Sequence, residues 1–175
     1  MQPRNRRRQT GFTLLELMTT ITVLGILLAL AVPTFTQTIR NNQLTAQNNE
    51  FVGALNYARS EAIKRSSDVS LCSTTNGTAC AASLNWATGF VVFLDVNANG
   101  SLDAATDTVL QAYPATVNSI TLTSTTRNYV RYTSTGMSSG SETFTLQRTG
   151  CTQNNARRIT VSLTGRITTT RIVCT

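Results

Sequence analysis

Histidine is absent from the 175 residues, lysine occurs once, at Lys64, and only 13% of the chain is charged. Without histidine there is no Ser/His or Cys/His pair to activate a nucleophile, and no imidazole to ligate a metal. No glycine-rich loop of the phosphate-cradling kind occurs either. No nucleophile stands beside a base or a metal-ligand cluster, so the chain reads as a non-enzyme without a cofactor. The four cysteines, Cys72, Cys80, Cys151 and Cys174, include no close Cys-x-x-Cys pair, which argues against zinc. An even number suits two disulfides in a domain outside the cytoplasm, with three pairings open.

The length suits one domain of modest core plus an appendage. The net charge of +7 is unevenly spread: residues 1–11 hold Arg4, Arg6, Arg7 and Arg8, while residues 12–33 hold only Glu16. Residues 67–126 contain four aspartates and no base, and residues 127–175 set seven arginines against Glu142. Only the last block suits a polyanion, and scattered arginines equally describe a solvated surface.

From Phe12 to Val32 run 21 residues whose sole charge is Glu16. As a helix rising about 1.5 Å per residue, that stretch spans the roughly 30 Å hydrocarbon core of a bilayer. The arginines before it favour the cytoplasmic side, which sends the cysteine-bearing part outward. A secretory signal cut after Ala31, with Ala29-Leu30-Ala31 as the small-x-small site, competes with a plain anchor. Neither accounts for a carboxylate in lipid, which costs a few kcal/mol.

The stretch "RRRQTGFTLLELMTTITVLGILLALAVP" resembles the processing signal of type IV pilins and type II secretion pseudopilins. The resemblance implies cleavage by a prepilin peptidase between Gly11 and Phe12, followed by methylation of the new N-terminus. Glu16 then takes the family's glutamate place and Pro33 that of its helix-kinking proline. Physically, the new ammonium at Phe12 can pair with Glu16 of a staggered neighbouring helix, making the acid an assembly register. The implied partners are the peptidase, the inner membrane and other pilins docking through the N-terminal helix.

Beyond Pro33, Phe51, Leu55, Ala58 and Ala62 form an apolar stripe, with Arg59, Glu61, Lys64 and Arg65 expected on other faces. From Asp68 onward, eight short runs rich in Thr, Val, Ile and Tyr predict antiparallel strands: "DVSLCS", "GFVVFLDV", "DTVLQAY", "SITLTS", "NYVRYTS", "ETFTLQR", "RRITVSL" and "RITTTRIV". The expected fold is therefore α+β, a long N-terminal transmembrane and spine helix followed by an antiparallel β-sheet head. The expected divisions are a leader at 1–11, a transmembrane part at 12–33, an amphipathic spine at 34–66 and a periplasmic head at 67–175. "YARSEAIKRSSDVSLC" and "WATGFVVFLDVNANGSLD" resemble the GspH/FimT/FimU group of pseudopilins and minor pilins. That resemblance spans residues 11–112 and continues loosely to the C-terminus. It implies a filament subunit of the bacterial inner membrane, whose output is a type IV pilus or, alternatively, a type II secretion pseudopilus.

Turn chemistry then separates the cysteine pairings. Asn76-Gly77 predicts a hairpin that brings Cys72 and Cys80 opposite each other. A turn near Thr164-Gly165 places Cys174 opposite about Asn155, within reach of Cys151. In "DVNANGSLD", Asp95, Asn97, Asn99 and Asp103 fall at positions 1, 3, 5 and 9 of a calcium-type loop, but Thr106 stands where a bidentate glutamate belongs. A polar loop of turn formers explains the same residues. Arg157, Arg158, Arg166 and Arg171 are the candidate double-stranded DNA contacts. The FimT-type resemblance implies a Gly-Arg-x-Arg motif there, and only Gly165 and Arg166 are present, with Thr168 in the second arginine's place.

Overall fold

The computed structural model describes residues 11–116 and 119–174, the side chains of Leu30, Pro33 and Thr34 excepted. The four arginines of the expected leader, Val117, Asn118 and the Pro33 ring lie outside the described residues. Among the described residues one helix, α1 (Leu14–Arg65), is followed by eight strands: β1 (Val69–Ser73), β2 (Phe90–Leu94), β3 (Thr108–Tyr113), β4 (Ile120–Ser124), β5 (Tyr129–Tyr132), β6 (Glu142–Arg148), β7 (Ala156–Val161) and β8 (Ile167–Ile172). Each predicted run becomes a strand, and every pairing is antiparallel. Two units divide the chain, residues 1–40 and 41–175.

In the first unit, α1 is apolar all round. Phe12, Leu14, Leu15, Leu17, Met18, Ile21, Val23, Leu24, Ile26, Leu27 and Leu28 are all exposed. The hydroxyls of Thr19, Thr20 and Thr22 donate to the carbonyls of Glu16, Leu17 and Met18, so these threonines hide their polarity in the helix itself. Among the described residues no helix is long and apolar enough to cross a membrane.

The second unit begins at Asn41, so the helical stretch 41–65 belongs with the sheets. Its buried stripe comprises Leu44, Phe51, Ala54, Leu55, Ala58 and Ala62. The small residues let strands approach the helix. Phe51 meets Trp86, Phe90 and Phe144 edge to face, with ring centroids 5.7, 5.2 and 4.8 Å away. A fully buried side chain of this kind stabilises by roughly 2–3 kcal/mol.

Sheet order is β3-β2-β1-β5 in one sheet and β4-β6-β7-β8 in the other. In the first sheet, Val69, Leu71, Phe90 and Val92 join the helix-side core, while Cys72, Val91 and Phe93 pack with Leu102 in a second cluster. Burial on both faces explains why "FVVFL" does not alternate. In the second sheet β6 does alternate, with Phe144 and Leu146 inward and Thr143 and Thr145 half-buried.

The helix ends at Arg65, and Ser66 takes a left-handed φ of 51°. The Ser67 N–H donates back to the Ala62 carbonyl at 3.2 Å, closing the C-terminal turn. A residue with a β-carbon pays about 1 kcal/mol for that conformation. Ser66→Gly is therefore expected to raise stability by about 0.5–1 kcal/mol, read as a higher urea midpoint; an unchanged or lower midpoint contradicts it.

One expectation needs correction, and two charged residues off the apolar stripe, Glu61 and Arg59, are held by contacts of their own. Glu61 is buried, accepting from Arg65 Nε at 2.6 Å and Lys64 Nζ at 3.3 Å. Arg59 reaches the turns that precede β6 and β8, contacts the helical period does not register, whereas Glu61 pairs with Lys64 and Arg65 at i+3 and i+4 within α1 itself. The expected hairpin at Asn76-Gly77 is absent, because β1 pairs with β2 and β5 on its two sides. Residues 74–80 instead form a loop in which Thr74 Oγ1 donates to the Ala79 carbonyl and Asn76 Oδ1 accepts from Thr78 and Ala79 N–H.

Candidate functional site

Gly11, Phe12 and Thr13 precede the first helical residue. Thr13 Oγ1 accepts the Glu16 N–H at 3.2 Å, so Thr13 caps the start of α1, and "TLLE" carries the Thr-x-x-Glu sequence pattern of a capping box. Glu16 thus stands in the first turn of α1, where the helix dipole favours an acid. This local role was legible as a motif, and it gives Glu16 one reason to exist before any partner is considered. Its side chain is exposed and projects from a helix bearing exposed apolar groups on every side.

In the second unit the acids are structural. Glu142 accepts the N–H groups of Thr125, Thr126 and Thr143 through Oε1, and Arg127 N–H and the Thr126 hydroxyl through Oε2. Burial pushes its carboxyl up, but the Thr126 hydroxyl and the three N–H groups of Thr143, Thr126 and Thr125 outweigh it and hold the pKa below the ordinary value. Sequence reasoning missed this residue, although one acid in a block of arginines was its signal.

Asp95 is spent in the same way. Its Oδ2 accepts the Ser70 hydroxyl at 2.6 Å and Gly100 N–H at 2.9 Å, and its Oδ1 accepts Asn99 N–H at 3.1 Å. Asn97 and Asn99 both turn their amide NH2 groups to Asp103 Oδ2, which lowers the Asp103 pKa. The four calcium candidates thus hydrogen-bond to one another and to the loop backbone, as a polar loop of turn formers does. Among the described residues no group of three or more His, Cys, Asp or Glu is placed to hold a metal.

Cys72 is joined to Cys80 and Cys151 to Cys174. The β7–β8 register, Ala156 opposite Ile172, places Cys174 one residue further along than expected. Its N–H donates to the Gln153 carbonyl at 2.9 Å. The second bridge closes 23 residues around the last hairpin, worth roughly 3 kcal/mol by the chain-entropy account.

The four arginine candidates do not gather. Arg157 and Arg171 are cross-strand partners on one face. Burial, then the charge of Arg171, lowers the Arg157 pKa. Arg158 points to the opposite face, between Thr145 and Thr170 in register, and Arg166 sits in the turn before β8. Tyr132 is wholly buried and Tyr129 packs on the second cluster, so neither presents a free ring to a base.

Arg59 makes the arrangement sequence reasoning overlooked. Its Nε donates to the Gly136 carbonyl at 2.8 Å and its Nη2 to the Thr164 carbonyl at 3.0 Å. Gly165, at φ 74°, backs onto the same Gly136 carbonyl, and a β-carbon there would collide with it. The glycine of the half-present arginine motif is thus required by packing.

The family model described as type II transport protein GspH matches residues 47–165. That described as the prokaryotic N-terminal methylation motif matches residues 6–32, which include Gly11, Phe12 and Glu16. Among solved structures, the type IV minor pilin FimU of Pseudomonas aeruginosa is 23% identical, with a TM-score of 0.58 over 77% of this chain and 90% of that one. A second crystal form of FimU gives 21% identity and a TM-score of 0.51 over 76% and 91%. No curated protein matches the chain.

Proposed function

Because the chain belongs to the GspH family of type II transport proteins, we propose that it is a minor pilin built into a type IV pilus, where it helps prime or cap the filament. In this reading the leader 1–11 is removed by prepilin peptidase, and residues 12–33 hold the processed chain in the bacterial inner membrane. The spine and head then stand in the periplasm until other pilins draw the N-terminal helix into the filament. The observation that carries the reading is the first unit: an all-round apolar helix, exposed in this chain, with one acid a turn beyond Phe12. A helix of that kind needs a covering from lipid or from other helices.

The test is the intact mass of the chain recovered from the envelope of its own cells. A methylated N-terminus at Phe12 is expected. A start at Val32, after Ala31, would make the chain a released secretory protein and end the proposal. The description of the matching family favours a second reading, the pseudopilin H of a type II secretion system. Recovery of the processed chain from sheared pili, against loss of exoprotein release on its deletion, separates the two. The spread of Arg157, Arg158, Arg166 and Arg171 over two faces and a turn gives no observation favouring DNA capture.

A further inference from the structure

We propose that Ile63, Met137 and Leu163 form a docking surface for a different protein chain, one that presents carboxylates around an apolar socket. This rests on the filament-subunit reading and names the chemistry of one neighbour. Exposed apolar side chains are ordinary singly, but these three stand on segments fixed to one another. Ile63, Met137 and Leu163 are 51%, 51% and 57% exposed. The Ile63 side chain lies against the α-carbon of Gly136. The Ser138 N–H donates to the Leu163 carbonyl at 3.0 Å, which binds the turn after β5 to the turn after β7. Arg59 then ties both turns to α1 through the Gly136 and Thr164 carbonyls.

A partner therefore meets a surface whose backbone is already ordered, so little loop entropy is lost on docking. Methionine beside two branched aliphatic groups suits the centre of a small contact, where a few desolvated side chains dominate the energy.

Charge selects the occupant. The same segments carry Arg59, Lys64, Arg65 and Arg166 against one acid, Glu61, whose carboxylate is already held by Lys64 and Arg65. Arg166 is exposed in the same β7–β8 turn as Leu163. A second copy docking through this face would set bases against bases. A chain with aspartates or glutamates around its socket gains at each, chiefly in encounter rate and discrimination.

The experiment uses the full-length chain in cells that assemble the filament, with a photo-crosslinking residue in place of Met137. The expected result is an adduct to a different chain, formed at a segment rich in Asp or Glu. Its yield should fall at least tenfold in Arg166→Glu and in Leu163→Asp, with the chain's abundance and protease resistance unchanged. An adduct only to another copy, no adduct, or a yield indifferent to Arg166→Glu overturns the docking surface. The N-terminal mass of the same sample reads processing separately. A correct Phe12 start with no heterologous adduct refutes this surface alone, and a Val32 start refutes the reading beneath it.

Discussion

Glu142→Gln is expected to lower the stability of the head by about 3 kcal/mol near neutral pH, the scale set by losing charge-assisted bonds and leaving donors unsatisfied. Both oxygens of the carboxylate serve as acceptors, for four backbone N–H groups and one hydroxyl. An amide keeps one oxygen and puts an NH2 where the other stood. Whichever way it turns, donors then face donors, either at Arg127 or at Thr125, Thr126 and Thr143. The turn between β4 and β5 loses its anchor, and with it the seat of Ser124, whose hydroxyl accepts the Trp86 indole N–H at 3.0 Å. Trp86 is the sole tryptophan and is wholly buried, so its fluorescence reports the loss directly. The measurement is the urea midpoint of the full chain in detergent.

The pH dependence follows from the direction of the shift. A carboxyl whose folded pKa lies below its unfolded value, ordinarily 4.5, adds stability that is fully present above that value. That stability is lost as pH falls through the folded pKa. Glu61 has a pKa lowered in the same sense, first by its bond to Arg65. Wild type should therefore lose stability steeply in acid, and the gap between it and Glu142→Gln should close over the same range. A gap that stays constant from neutral pH into acid would mean the variant hurts by packing and not by charge.

What was legible in the sequence was whatever depends on near neighbours along the chain. Threonine and branched residues between Gly and Asn turns marked all eight strands, and the spacing of Phe51, Leu55, Ala58 and Ala62 marked the buried helix face. What stayed hidden depends on distant partners. Arg59 is 77 residues from Gly136 and 105 from Thr164, and no periodicity encodes such a contact. A charged helical residue reads as solvated until the fold brings carbonyls to it. Asn76-Gly77 misled for a related reason: the dipeptide favours a hairpin only when its flanks pair, and β1 already has partners on both sides. In the candidate site, the capping pattern Thr13 to Glu16 was present in plain view, but a long apolar run draws attention to the lipid and away from the helix end. The arginine candidates scattered because a strand alternates its faces, which separates Arg157 from Arg158.

Glu16→Gln is expected to cut incorporation of the chain into filaments by at least tenfold, with synthesis and cleavage at Gly11 retained. The Thr-x-x-Glu sequence pattern makes glutamine the informative replacement. Glutamine serves in that motif as well as glutamate does, so the start of α1 is preserved while the charge is removed. If the acid works only as a cap, the variant behaves as wild type. If it pairs with the Phe12 ammonium of a neighbouring helix, its loss leaves that cation alone among apolar side chains. Breaking a buried pair in that way costs about 3–5 kcal/mol, more than a hundredfold in assembly equilibrium. Thr13→Ala is the opposite change: it deletes the hydroxyl that accepts the Glu16 N–H, costs about 1 kcal/mol, and leaves the charge in place. Filaments sheared from cells expressing each variant and probed for the chain decide between the two roles. Strong loss in Glu16→Gln with near-normal Thr13→Ala assigns Glu16 to the register between subunits. Equal damage in both, or none in Glu16→Gln, returns it to the cap, because the helix dipole separates a charge from its neutral isostere by only about 0.3–1 kcal/mol, far less than a pairing between helices does.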